Sequence, residues 1–484
     1  MKSEPNRQVR AIGSISCQSR RLVGVIAAAV LTACGGSDKA AAGPPTQQEV
    51  VVTGCNGTVT YVEAEGAFAN GSPWSMRRPT GWNGLLINDL DYVPAKDGAR
   101  SCYWLQRGYA LSGTGRNPQR NFNYDPDREQ QELISVIDMF NARYGKPTKV
   151  IQYGHSGGGF VALNFAERYP EKVDGVVVGC AHEPVPLMNM MLDGWFVLKT
   201  LIASELHVGF SDLASVADQS AKWRAALTLA QQSQEGRARI ALAAAVGQWP
   251  VWSNATRAQP DPFDLGALQS AVFDTVLLNA AQPGGQSRFM FEHAGTSPAV
   301  RQLSWNAGID YSQLLARAEP AVGRLVLSLY STNGLNLQAD LATLRDATRV
   351  QAEPAASAFW NGPGRTVHGT PKIPSLRMHT TGDNVVPPNI IDSYVQKMQA
   401  NGGDVSLYRT TIVDRAGHCT FEPSESAAAI ETVLTRINTG VWPDVSPAGM
   451  NARAKALIPA SVPAFVPYEP ARANRPQNNP AGGL

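Results

Sequence analysis

The stretch that most constrains this chain is Lys149-Val150-Ile151-Gln152-Tyr153-Gly154-His155-Ser156-Gly157-Gly158-Gly159-Phe160. A β-branched run enters a Gly-x-Ser-x-Gly turn, and a helix-like segment, residues 160–168, follows at once. A serine carried on so sharp a strand-to-helix turn has the pattern of a nucleophile elbow. Glycines flank it because side chains there would collide with neighbouring strands. The pentapeptide alone is common, and the plainer reading is a Gly-rich turn whose serine caps the helix through its hydroxyl. The strand before it and the helix after it favour the nucleophile.

A serine hydroxyl is a weak nucleophile at neutral pH and needs a base. The base needs a carboxylate to fix its tautomer and stabilise the imidazolium. After a serine on such a turn, the acid comes next along the chain and the histidine last. His182, His207, His293, His368 and His379 fall in the middle of the chain or before the final strand, and only His418 follows it, in Asp414-Arg415-Ala416-Gly417-His418-Cys419. His418 is therefore the expected base, with a glycine before it that lets the loop turn back. The expected acid is Asp383, where a strand ends in a Gly-Asp turn before a Pro-led helix start, Thr380-Thr381-Gly382-Asp383-Asn384-Val385-Val386-Pro387. Asp414 is the rival because it is close to His418 in sequence, but a short loop need not bring the two groups together. For the tetrahedral intermediate, the expected donors are the backbone N–H of Gly157 and, from the loop after Leu85-Leu86-Ile87, that of Asp89.

Strands and helices alternate from about residue 84 to 180, which predicts a mostly parallel α/β sheet flanked by helices. Ligands in such sheets bind at the carboxyl ends of the strands, where Ser156 sits. The alternation then stops. Residues 182–371 read as mostly helical, an insertion between the strand at 173–180 and the strand at 375–380, expected to act as a lid. Its first part holds Met188, Met190, Met191, Trp195 and Phe196, which suit either an acyl pocket or plain helical packing. Residues 50–181 and 372–440 form the two parts of the core. Residues 441–484 are a Pro- and Ala-rich tail, its last dozen or so residues expected to be disordered. Arg116 and Arg120, in the loop after Tyr109-Ala110-Leu111-Ser112, are candidates to bind a carboxylate or acyl oxygen, although solvated loop residues are the simpler reading.

The N-terminus reads differently. A basic stretch ends at Arg20-Arg21, and a mostly apolar run, residues 22–33, closes on Leu31-Thr32-Ala33-Cys34. The run is too short to span a bilayer, which takes about 20 residues. It suits a signal peptide over residues 1–33. The ending resembles a bacterial lipobox, which implies acylation of Cys34, a flexible tether over residues 34–49 and a lipid-anchored place in the cell envelope, at the outer membrane or in the periplasm. The formal net charge of +2 becomes −2 once Lys2, Arg7, Arg10, Arg20 and Arg21 are removed together with Glu4. No basic patch with interleaved aromatics remains to suggest nucleic acid. Cys55, Cys102, Cys180 and Cys419 are an even set with no Cys-x-x-Cys spacing, which favours disulfides of undetermined pairing over zinc. Neither a cofactor nor a metal is implied.

Ser156, Asp383 and His418 in their settings resemble the α/β-hydrolase superfamily across residues 84–180 and 372–438. More narrowly, Trp82-Asn83-Gly84, Arg107-Gly108-Tyr109-Ala110, Arg168-Tyr169-Pro170-Glu171-Lys172-Val173-Asp174-Gly175 and Gly417-His418-Cys419 look like the tannase and feruloyl esterase family, which also carries a large lid. That family pairs a cysteine before its serine with the one after its histidine. Here His155 precedes Ser156, and the family's glycine-rich oxyanion loop is absent. The resemblance implies that Cys419 pairs instead with Cys180, on the strand beside the nucleophile, leaving Cys55 for Cys102. The function it implies is cleavage of small-molecule or polymer-derived carboxylic esters through an acyl-enzyme. A peptidase or amidase using the same triad is the alternative, and a surface-binding protein on an inactive hydrolase scaffold is a third reading.

Overall fold

A computed structural model describes residues 50–208, 213–281, 288, 290–295 and 302–480. The expected signal peptide, Cys34 and the tether lie outside the described residues. Ten strands form one sheet: β1 (Val50–Gly54), β2 (Val59–Ala67), β3 (Pro73–Pro79), β4 (Leu85–Asp89), β5 (Ala110–Thr114), β6 (Lys149–His155), β7 (Gly175–Gly179), β8 (Ser375–Gly382), β9 (Tyr408–Ala416) and β10 (Phe465–Val466). Their order is β1-β2-β3-β5-β4-β6-β7-β8-β9-β10. From β5 to β9 neighbouring strands run parallel, and the pairs at both edges are antiparallel. Ser156 thus follows a central strand, with β4 on one side and β7 on the other.

The central strands read as unbroken apolar runs because both faces are covered. Successive side chains point to opposite sides. Leu86, Val150, Val176 and Val178 pack on one face with Leu133, Ile137 and Phe140 of the helix Pro126–Tyr144 and with Phe160 and Leu163 of the helix Gly157–Arg168. Leu85, Ile87, Ile151, Val177 and Met378 pack on the other face with Trp104 and Leu105 of Ala99–Gln106 and with Ile430 and Val433 of Pro423–Thr439.

Between β7 and β8 the described chain is helical, from Pro184–Leu201 through Gln234–Val246 and Pro320–Thr332 to Pro354–Trp360. This block has its own apolar core. Met188, Met190 and Met191 are buried in it, Phe196 stacks on Tyr311 at 5.4 Å, and Trp195 meets Trp223 at 4.9 Å. Of the two readings of these residues, the contacts are those of helical packing.

The tail departs from expectation. It forms a helix, Pro447–Leu457, adds β10 to the sheet edge, and then runs back to the helical block. Arg475 Nη1 donates to both carboxylate oxygens of Asp193, at 2.8 and 2.9 Å, and its Nη2 to the Trp305 carbonyl at 2.6 Å. Both members of this ion pair are buried, and such a pair is costly to break because one charge would remain uncompensated. Hydrogen bonds from Gln248 to the Arg472 carbonyl and from the Ala473 and Asn474 N–H groups to Asp392 and Gln248 add to it, so residues that look disordered by composition are strapped down.

Both implied disulfides are present, Cys55–Cys102 and Cys180–Cys419. The second joins positions 239 residues apart and ties the end of β7 to the loop after β9.

Candidate active site

Ser156 adopts φ 54° and ψ −118°, a conformation that L-residues seldom take. Crowding explains the glycines around it: a Cβ on Gly154 would stand 2.3 Å from the Gly158 carbonyl oxygen, and one on Gly159 2.7 Å from that of Gly179. Cys180 and Cys419 also have positive φ, 37° and 55°. Three non-glycine residues in this region within one small volume mark a locally strained site, held by the surrounding sheet.

The Ser156 N–H donates to the Gly179 carbonyl at 2.8 Å, Gly179 precedes Cys180, and the disulfide carries the path on to Cys419, beside His418. A second clamp comes from the other side. The Gly417 N–H donates to the Gly382 carbonyl at 2.9 Å, and the Thr380 hydroxyl to the Gly417 carbonyl at 2.7 Å. These contacts bring the ends of β6, β7, β8 and β9 together, and with them Ser156, Asp383 and His418.

His418 Nδ1 donates to Asp383 Oδ2 at 2.7 Å. The other carboxylate oxygen accepts the N–H groups of Val385 and Val386 at 3.0 and 2.8 Å, so the fully buried Asp383 has one oxygen fixed by backbone and one turned to the histidine. This arrangement leaves His418 Nε2 as the basic nitrogen. Burial opposes the charge on His418, but the Asp383 carboxylate outweighs it and holds the pKa above its ordinary value of 6.5. The sign for activity follows: if His418 is the base, its neutral form is the working one, and kcat/KM should rise with pH through a midpoint above 6.5 and then level off. A pH–rate profile whose midpoint lies below 6.5 would contradict this assignment.

His379 is close but differently used. Its Nε2 donates to the Val386 carbonyl at 2.8 Å and lies 3.6 Å from Asp383 Oδ2, and burial pushes its pKa down to about 4. It packs against the Asp383 carboxylate, a contact with no sequence signal beyond its place on β8, the strand that ends just before Asp383. Asp414, the rival acid, accepts the Thr381 hydroxyl at 2.8 Å, while the carboxylate that meets His418 is that of Asp383. His155 is engaged elsewhere, its Nε2 2.5 Å from the Tyr153 hydroxyl, its Nδ1 3.3 Å from Arg100 Nη1 and its ring 5.4 Å from Phe421. The sulfurs of Cys180 and Cys419 lie beside His418, but they are bonded to each other and offer no thiolate to a metal.

The structure places Asp89 otherwise than expected. Asp89 is the last residue of β4, held between Gly113 of β5 and Tyr153 of β6 rather than in a loop. The strand runs on because its polar end residues are buried and partnered: Asn88 joins Gln152 and Ser112, each at 2.8 Å, and Asp89 meets Arg100 at 3.2 Å. Burial raises the Asp89 pKa to about 6 against the pull of Arg100. The chain turns one residue later, where a Cβ on Gly158 would lie 3.3 Å from the Leu90 Cβ. Gly157 opens the helix Gly157–Arg168, so its N–H is one of the donors that such an end leaves unpaired within the helix. Beside it stand Arg116 and Arg120: a Cβ on Gly157 would lie 3.1 Å from Arg116 Nη1 and 2.9 Å from Arg120 Nη2.

Residues 87–424 match the model of the alpha/beta hydrolase fold family. An o-phthalyl amidase from Xanthobacter agilis is 41% identical over 421 residues, covering 82% of this chain and 92% of that protein. A (lyso)-N-acylphosphatidylethanolamine lipase from Mus musculus is 30% identical over 95 residues, 20% of this chain and 25% of that one. Among solved structures, an esterase from Aspergillus oryzae shares 13% identity at a TM-score of 0.40, over 80% of this chain and 81% of its own. The chain therefore belongs to the alpha/beta hydrolase fold family.

Proposed function

We propose that this chain is a serine hydrolase that cleaves amides of aromatic carboxylic acids through an acyl-enzyme. The observation that carries the reading is the Asp383–His418 pair, 2.7 Å apart and tied to the strained turn of Ser156. Ser156 attacks the acyl carbon and gives its proton to His418 Nε2. The imidazolium, steadied by Asp383, then returns that proton to the leaving nitrogen. An amine is a poor leaving group without this protonation, so His418 has to act first as the base and then as the acid. The N–H of Gly157 supplies one oxyanion donor, and the second is proposed to come from the turn that starts at Leu90, since Asp89 is still paired in β4.

Amides stand first because the relative that matches most of this chain is an o-phthalyl amidase. The ester expected from sequence becomes a second substrate of the same machinery, since an ester carrying the same acyl group forms the same acyl-enzyme more easily. The direct test compares the 4-nitroanilide and the 4-nitrophenyl ester of one aromatic acid. Both should be hydrolysed, the ester with an initial burst of nitrophenol. Failure of both, in protein that a fluorophosphonate also leaves unlabelled, would reject the reading. Export with acylation at Cys34 is proposed alongside, supported by two disulfides suited to an oxidising compartment.

A further inference from the structure

Arg116 and Arg120 are not loosely solvated loop residues. Arg116 grips Asp91 through Nε and Nη2, at 2.5 and 2.7 Å, and its Nη1 lies 3.4 Å from Glu129 Oε2. Arg120 Nε donates to Glu129 Oε1 at 2.8 Å, while its guanidinium lies 4.3 Å from the centre of the Tyr124 ring. Glu129 is buried, so each arginine is anchored at one end by a carboxylate that cannot move into solvent. Burial works against the charge on Arg116, but Asp91 and then Glu129 more than offset it and keep the pKa above its usual value.

The two guanidinium groups differ in what they have left to give. Both Arg116 edges are occupied by carboxylates. Arg120 turns Nη1 toward the Met290 sulfur at 2.9 Å, and among the described residues no hydrogen-bond partner meets its Nη2, the atom beside Gly157. The surroundings are apolar: Tyr124 contacts Phe291 at 5.6 Å, Phe291 contacts His182 at 5.2 Å, and His182 stacks on Phe160 at 5.4 Å. His182 Nδ1 is itself buried without a partner. A charge-assisted hydrogen bond is stronger in such a low-dielectric setting than in water.

We propose that Arg120, braced by Glu129 and with Arg116 behind it, binds a carboxylate on the carbon next to the one that bears the scissile carbonyl. The placement follows from simple geometry. The Gly157 N–H marks where the carbonyl oxygen lies, and a vicinal carboxylate projects beside that oxygen, so its donor must stand next to Gly157. A para carboxylate would point away. The substrate class is then the monoamides of vicinal dicarboxylic acids, with o-carboxybenzoyl amides as the aromatic case. The charges already present are balanced, Asp91 and Glu129 against the two arginines, so recognition is by a directed hydrogen bond and not by a bare positive field. The inference rests on the proposed role of Ser156.

The test measures kcat/KM for the 4-nitroanilides of 2-carboxybenzoic, 4-carboxybenzoic and benzoic acids in wild type, Arg120→Met and Arg120→Lys. Wild type should prefer the 2-carboxy substrate. Arg120→Met should lose about 100-fold on that substrate alone, with the other two within about threefold, and Arg120→Lys should keep part of the preference. Equal losses on all three substrates, or no ortho preference in wild type, would overturn the proposal. If Arg120→Met fails to fold with Glu129 unpaired, inhibition of wild type by phthalate against terephthalate decides, and equal inhibition overturns it. Fluorophosphonate labelling separates the two levels: a labelled enzyme without ortho preference refutes Arg120 alone, and an unlabelled one refutes the serine hydrolase.

Discussion

Ser156→Ala should remove fluorophosphonate labelling and cut kcat by about 10⁶-fold, with the fold intact. The change deletes one hydroxyl and leaves the backbone path untouched. The strain at φ 54° is already met by the crowding of Gly154 against Gly158 and of Gly159 against Gly179, and alanine adds no atom to it. The disulfide from Cys180 to Cys419 and the Gly417-to-Gly382 hydrogen bond still hold the site closed. Thermal unfolding should therefore shift little while turnover collapses. The rate that survives should be that of an oxyanion donor and bound substrate without a nucleophile, about 10³-fold or more above water. The readout is the mass of the labelled active-site peptide together with kcat on the anilide. A variant that still takes up label, or that turns over near the wild-type rate, would move the nucleophile elsewhere.

How much of this was legible beforehand depends on how local each signal is. Ser156, Asp383 and His418 could be proposed together from the chain because the chemistry demands three residue types in a set order, each at the end of a strand with a turn residue beside it. The structure brings those three strand ends together. The apolar runs of β6 and β7 are equally local, and so the parallel core was readable. Asp89 was not, because Asn88 and Asp89 look like a turn when read alone. Their partners, Gln152, Ser112 and Arg100, are distant in sequence, and only those contacts keep the strand going. The tail failed for the same reason: Pro and Ala content says nothing of an ion pair between Arg475 and Asp193. The Cys180–Cys419 pairing came through the resemblance to a family that ties its histidine loop by a disulfide, not from cysteine spacing. Arg116 and Arg120 were visible as candidates. What could not be seen was that Asp91 and Glu129 hold them against Gly157.

Asp383→Asn should lower kcat by about 10⁴-fold, and Asp414→Asn should leave it within about threefold. Asparagine keeps the size of the side chain and can still accept the Val385 and Val386 N–H groups through its oxygen, so the loop should not collapse. That oxygen is then spent. The amide NH₂ faces His418 where a carboxylate oxygen stood, and a donor there favours the tautomer with its proton on Nε2. His418 then presents a proton to Ser156 instead of a lone pair. The charge that raised the His418 pKa is also gone, while the burial that opposes protonation remains, so the midpoint of the pH–rate profile should fall as well. Asp414 contributes to neither effect, because its carboxylate is held by the Thr381 hydroxyl. A purely structural role for Asp383 would lower stability and rate together without moving the midpoint. Two observations would defeat the assignment: equal rate losses in the two variants, or an Asp383→Asn profile whose midpoint has not moved down.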